Sequence, residues 1–124
     1  MRRWLVDASN VVGSRPDGWW RDRQGATARL LDALREFASG DDDDVVVLDA
    51  GPEEWVGRDG PFEVVLAPRR GRDAADDEIV RRLDADADPS SIRVVTSDAA
   101  LAERARARGA DVVGAGAFRR QLGY

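Results

Sequence analysis

Three aspartates stand where apolar segments of the chain end: Asp7 in WLVDASN, Asp49 in VVVLDA and Asp98 in VVTSD. Two further acids, Asp76 and Asp77, open the segment AADDEIVRRL. Carboxylate oxygens are the ligands that hard cations such as Mg²⁺ prefer, at about 2.0–2.1 Å. Neighbouring strands of a sheet lie about 4.8 Å apart, so acids on adjacent strand ends can share one ion. Together these residues predict a metal site.

Each acid also has a plainer interpretation. Asp98 or its neighbour Ser97 could cap the helix that follows, and Asp49 could begin a turn at Ala-Gly-Pro. The acid pair of AADDEI could simply favour the positive end of a helix dipole. Asp7 is harder to explain in this way, because the end of a central strand offers little water. We favour a shared site because three separate strands end in the same residue type.

The composition excludes several kinds of chemistry. The chain has no histidine and no cysteine, and all 19 basic residues are arginine. Catalytic triads that need histidine, thiolate nucleophiles, zinc–sulfur sites, the Walker lysine and Schiff-base chemistry are therefore absent. The net charge of −5 argues against a nonspecific nucleic-acid coat, although it allows a local basic rim around a metal-charged pocket.

Length and hydropathy indicate the class of protein. A chain of 124 residues predicts one domain over residues 1–124. No apolar stretch approaches the roughly 18 residues of a membrane span, and the start of the chain does not look like a signal peptide. We therefore expect a cytoplasmic protein with no membrane partner. The oligomeric state is open.

The elements that must position the acids alternate along the chain. Continuous apolar runs predict strands over residues 3–6, 45–50, 62–67 and 91–96, with a short one at 111–114. Helical spacing predicts helices over residues 25–38, 74–83 and 98–108, a final helical turn at 117–122, and a polar loop over 8–24. This order predicts a three-layer α/β/α sandwich with a central, mostly parallel sheet. The ligand crevice is expected at the topological switch point beside the first strand.

The same segments carry a family resemblance. VDASN, VLDA, AADDEI and VVTSD, in this order, resemble the motif series of NYN-domain proteins, PIN-like ribonucleases that include the YacP-like group. The resemblance spans roughly residues 3–118. It implies a PIN-like fold and cleavage of RNA with Mg²⁺ or Mn²⁺, with an RNA endonuclease favoured. RNA versus DNA, and single-stranded versus structured substrate, stay open.

By motif position, the resemblance also implies roles for individual residues. Asp7, Asp76 and Asp98 would form the acidic core, Asp49 would be an additional acid, and Asn10 would place an amide near the metal or phosphate. Asp77 adjoins Asp76, and which of the two faces the metal is open.

Substrate contacts are expected from arginines in two loops and one helix, which are suited to bidentate contacts with phosphates. The candidates are Arg15, Arg21, Arg23, Arg29, Arg69, Arg70 and Arg72, together with Ser97. Trp19 and Trp20 could stack on unpaired bases or cover the core. Two other functions stay open: an inactive RNA-binding NYN module, and a Mg²⁺-dependent small-molecule phosphatase, which the lack of lysine disfavours.

Overall fold

The structure is a computed structural model that describes residues 3–38, 43–68 and 73–124. Within these residues the strands are β1 (Arg3–Asp7), β2 (Asp43–Leu48), β3 (Gly57–Asp59), β4 (Phe62–Leu66), β5 (Ile92–Val95) and β6 (Asp111–Val113). The helices are α1 (Ala8–Val12), α2 (Arg23–Phe37), α3 (Ala74–Ala85), α4 (Ala99–Ala107) and α5 (Ala115–Leu122). Short 3₁₀ turns cover Trp19–Arg21, Glu53–Trp55 and Pro89–Ser91.

The strands form one sheet in the order β3-β4-β2-β1-β5-β6. Every pair is parallel except β3 with β4, which is antiparallel. One apolar cluster packs α1, α2 and α5 on one face, and a second packs α3 and α4 on the other. The predicted three-layer, mostly parallel α/β/α sandwich is confirmed.

The order in which the strands are added to the sheet reverses at β1. The chain builds outward from β1 through β2 to β4 and then returns to place β5 on the other side of β1. Asp7 pairs with Val47 of β2, and Val6 pairs with Val95 of β5, so Thr96 follows directly beside Asp7. This is the switch point at which open parallel sheets bind ligands.

Large buried side chains explain why the central strands are apolar on both faces. On the α2 side, Trp4 packs against Phe37 and Phe118 at ring-centroid distances of 5.6 and 5.1 Å. On the α3 side, Leu5 joins a cluster that includes fully buried Ile79 and Leu101. Strands covered on both faces read as continuous apolar runs, because neither face meets water.

Two elements differ from the sequence prediction. The polar loop expected over residues 8–24 contains α1 directly after Asp7, and α2 already begins at Arg23. The antiparallel strand β3 was not predicted, because all three of its residues are exposed and lack the apolar run of a buried strand. In the described part of the chain, no helix is long and apolar enough to cross a membrane.

Candidate active site

Asp7 ends β1 and is almost fully buried, with 1% of its surface exposed. Its carboxylate accepts hydrogen bonds from Asn10 Nδ2 at 2.6 Å, Ser9 Oγ at 3.2 Å and Thr96 Oγ1 at 3.3 Å. Burial raises the pKa of Asp7 above its ordinary value, and these hydrogen bonds oppose the rise. The carboxylate is therefore held in one orientation at the edge of the sheet.

A chain of hydrogen bonds joins α1 to the segment that follows β5. Asn10 Oδ1 accepts a bond from the backbone N–H of Ser97 at 3.2 Å, so the Asn10 amide bridges Asp7 and this segment. Thr96 Oγ1 accepts from the backbone N–H of Asp98 at 3.1 Å. The two strand ends at the switch point are thus fixed relative to each other.

Asp76 lies in the first turn of α3, on the same side of the sheet. Burial, followed by the negative charges of Asp7, Asp98 and Asp73, raises the pKa of Asp76 to about 6, and Arg104 opposes this rise. Like charges raise a carboxyl pKa only when they lie close by. The structure therefore brings Asp7, Asp76 and Asp98 into one electrostatic neighbourhood.

The neighbouring acids have separate surroundings. Asp77 is half exposed, and its carboxylate pairs with Arg104 at 3.5 Å. Of the Asp76–Asp77 pair, Asp76 is thus the one that faces the other acids. Asp98 caps α4, since its Oδ1 accepts from the backbone N–H of Leu101 at 3.0 Å. Among the described residues, its other oxygen has no hydrogen bond, so capping leaves it free to bind a further ligand.

Asp7, Asp76 and Asp98 are the candidate ligands of a divalent cation. Over residues 3–38, 43–68 and 73–124, no three acidic side chains are already positioned to hold a metal ion. The chemistry of the three acids nevertheless fits, because they offer hard oxygen ligands and Asp76 bears unfavourable negative charge. A bound cation would relieve that repulsion.

Asp49 follows β2, is exposed, and lines a cleft between α1, the start of α2 and the segment after β2. Trp19 and Trp55 line the same cleft. Ser9, which donates to Asp7, lines it as well. The grouping of Asp49 with the other acids stays a prediction.

The predicted arginines do not form one group. Arg15 donates to the backbone oxygen of Tyr124 at 2.8 Å, and Arg29 acts electrostatically on the same tyrosine. Arg23 stacks over Trp19, 5.0 Å from the ring centroid, and Arg21 is exposed. The predictions for Arg69, Arg70 and Arg72 lie outside the described residues. Ser97 is exposed beside Asp98, and its Oγ accepts a bond from the backbone of Ala115.

Four residues of the site were missed in the sequence. Ser9 and Thr96 hold Asp7, and the register of β1 with β5 would have indicated Thr96, one residue beyond the paired Val95. Asp73 and Arg104 modulate Asp76 from outside the motifs. No sequence motif indicates a role for Arg104, because this residue reaches the site only through the packing of α4 beside α3.

Comparison with known proteins identifies the family. The model of the YacP-like NYN domain matches residues 4–123. The chain belongs to this family. The YacP-like NYN family is nuclease-like, and the fold is of the ribonuclease type. A comparison with curated protein sequences gave no match.

Solved structures give the same fold. The crystal structure of Rae1 (YacP) from Bacillus subtilis superposes with a TM-score of 0.76 at 25% identity, covering 98% of this chain and 74% of that one. A structure of the same protein with one tryptophan-to-leucine substitution gives 0.76 at 24% identity, covering 98% and 75%. The agreement extends over almost the whole NYN domain described above.

Proposed function

We propose that this NYN protein is a divalent-metal-dependent ribonuclease that hydrolyses internal phosphodiester bonds of RNA. The family suggests RNA as the general class of substrate. The observation that supports the proposal is that Asp7 and Asp98, from two other elements, raise the pKa of Asp76 beside the switch point of the sheet. Grouping acids in this way is costly without a cation, so the arrangement favours metal binding over capping alone.

The three acids would hold Mg²⁺ or Mn²⁺, each in a different setting. Asp7 is fixed by Asn10, Ser9 and Thr96, and supplies a rigid first ligand. Asp76 has its pKa raised to about 6, so it carries part of a proton at neutral pH and would lose it on binding a cation. A divalent ion bound there supplies a Lewis acid for the phosphodiester and lowers the pKa of a bound water.

Asn10 acts as a positioning residue in this proposal. Its amide is used by Asp7 on one side and by the Ser97 backbone on the other, so it sets the distance between the two strand ends. Ser97 is exposed and directly precedes Asp98 in the chain, so it is a candidate substrate contact. Arg104 limits the repulsion among the acids while the cation is away.

The test compares wild type with Asp7→Asn and Asp77→Asn. Purified proteins are incubated with Mn²⁺ and a panel of single- and double-stranded RNAs, and cleavage products are resolved by size. We expect wild type to cleave RNA internally and Asp7→Asn to lose at least 100-fold in cleavage rate. The cleavage rate of Asp77→Asn should change little, because Asp77 pairs with Arg104. Intact RNA throughout, together with no heat of Mn²⁺ binding by calorimetry, would refute the proposal.

A second function has one observation in its favour. Among the described residues no three acids are preassembled to hold a metal, which suits an RNA-binding NYN module without catalysis. This function predicts RNA binding that weakens with salt and no cleavage by any variant. The same panel separates the two functions. Hydrolysis of a generic phosphomonoester that depends on Asp7 would instead indicate a phosphatase.

A further inference from the structure

A cleft lies between α1, the start of α2 and the segment after β2. Its volume is about 260 Å³, a little below the 300–1,000 Å³ of sites for drug-sized ligands, so it suits a single planar ring system. We call it the tryptophan cleft. The residues that matter for its chemistry are Ser9, Trp19, Arg23, Gln24, Asp49 and Trp55.

The walls of the tryptophan cleft are aromatic. Trp19 and Trp55 each pack partly against the core, which holds them in place, and each also lines the cleft. Arg23 lies over the Trp19 ring at 5.0 Å and occupies one of its faces, which leaves Trp55 as the stacking surface. A Cβ atom at Gly51 would come within 3.3 Å of the Trp55 ring, so glycine allows the ring to lie against the backbone.

The rim of the cleft is polar and carries an unused acceptor. The exposed Asp49 carboxylate makes no hydrogen bond with any residue in the described part of the chain. Gln24 adds an amide that can donate or accept. An acidic side chain beside an aromatic surface is suited to a nucleobase, because the ring stacks and its exocyclic amine donates to the carboxylate.

The cleft is connected directly to the acidic site. Ser9 lines the cleft, and its hydroxyl donates to Asp7 at 3.2 Å, so one side chain separates the two sites. The exposed large hydrophobic residues of the described chain are Trp20 and Val56, at 52% and 46% exposure. They are the chain neighbours of the two cleft tryptophans and do not line the cleft.

We propose that the tryptophan cleft binds one unpaired nucleobase of single-stranded RNA beside the scissile phosphate. The base stacks on Trp55, and Asp49 accepts a hydrogen bond from its exocyclic amine. Asp49 is thereby a specificity-determining residue that favours amine-bearing bases over uracil. This inference rests on the proposed ribonuclease function, since it takes the acids around Asp7 as the reacting end of the substrate.

The first test is a scan of abasic sites. A fluorescein-labelled nine-nucleotide RNA is titrated in EDTA, which prevents cleavage, with one abasic substitution at each position in turn. We expect one position at which loss of the base weakens binding about 5- to 100-fold, the range for one stacked base. In Trp55→Leu this loss should disappear. In the control Trp20→Leu, a tryptophan that does not line the cleft, it should persist.

The second test uses Asp49→Ala, an exposed change that removes the acceptor and leaves the core packing intact. The base at the sensitive position is varied among the four standard bases. Wild type should prefer an amine-bearing base over uracil by about tenfold, the size of one good base contact, and the variant should lose that preference. Affinity for the RNA that is abasic at this position should stay the same. Circular dichroism and thermal melting check that each variant is folded.

Three results would overturn the inference. The loss of affinity on removing a base could be the same at all positions, or it could disappear in Trp20→Leu instead of Trp55→Leu. The base preference could also survive in Asp49→Ala. Failure of the proposed ribonuclease function gives a different result. RNA then stays intact with Mn²⁺, while binding in EDTA still weakens at the one sensitive abasic position. If wild type cleaved RNA but no abasic position weakened binding, only the base-binding role of the tryptophan cleft would be refuted.

Discussion

Replacing Asp76 by asparagine should stabilise the metal-free protein at neutral pH. The pKa of Asp76 is raised from 3.8 to about 6 by burial and by the charges of Asp7, Asp98 and Asp73. A carboxyl with a raised pKa binds its proton more tightly in the folded state than in the unfolded state. Above pH 6 the folded protein must therefore carry an unfavourable charge. Asparagine has nearly the same shape and removes that charge.

The magnitude follows from the pKa difference. A rise from 3.8 to about 6 corresponds to at most about 3 kcal/mol in the free energy of unfolding, at 1.36 kcal/mol for each pH unit. Asp76 is partly exposed, so solvent screening reduces this to about 1–2 kcal/mol. The destabilisation is absent below pH 3.8, grows between pH 3.8 and 6, and is complete above pH 6.

The assay is urea unfolding in EDTA at pH 7.5 and at pH 4. The free energy of unfolding of Asp76→Asn should exceed that of wild type by about 1–2 kcal/mol at pH 7.5 and by less than about 0.5 kcal/mol at pH 4. Asp77→Asn is the matched control, an adjacent acid whose exposed pair with Arg104 contributes about 0–1 kcal/mol. It should be no more stable than wild type at either pH.

Two outcomes would refute this reasoning. If Asp76→Asn were equal to or less stable than wild type at pH 7.5, Asp76 would not carry the repulsion inferred from its neighbours. If the gain were the same at pH 4 and pH 7.5, it would arise from packing and not from charge. A gain in Asp77→Asn equal to that in Asp76→Asn would show that the whole first turn of α3 contributes, and not the site.

Three further predictions concern the site and its support. Mn²⁺ should raise the melting temperature of wild type by several degrees, measured by thermal shift, and should leave Asp76→Asn within about 1 °C of its metal-free value. Asn10→Ala should lower kcat for RNA cleavage about 10- to 100-fold with little change in KM, because it releases Asp7 without touching the substrate. Asp86 has its pKa lowered to about 2, first by hydrogen bonds from Arg3, so their pair stabilises the fold above pH 4 and this stabilisation is lost as the pH falls toward 2. Asp86→Asn should therefore cost about 1 kcal/mol at pH 7 in urea unfolding and almost nothing at pH 2.

The central strands could be predicted because burial on both faces leaves a continuous apolar run. Their ends could be predicted as well, since Asp7 is the last residue of β1 and Asp98 lies three residues beyond Val95. Parallel strands place these ends at one edge without any knowledge of side-chain packing. The switch point beside β1 was predicted from the same pattern, whereas the order of the strands in the sheet was not predicted.

The parts that could not be predicted depend on short or exposed structure. The five residues of α1 follow a strand without any turn residue between them, so helical periodicity has no length over which to show. β3 is an exposed edge strand held by pairing with β4 alone, and its residues carry no apolar signal. Arg104 meets Asp77 across two helices, which only the packed fold brings together.

Asp7 and Asp49 both follow apolar runs, yet we propose different roles for them. Asp7 pairs with Val47, so β2 continues only one residue further, to Leu48, before the chain leaves the sheet. Asp49 is therefore the first residue of the turn, and it lines the tryptophan cleft. Ser9 lines the same cleft and donates to Asp7, so the carboxylates that would hold a cation lie next to the cleft that would select the base.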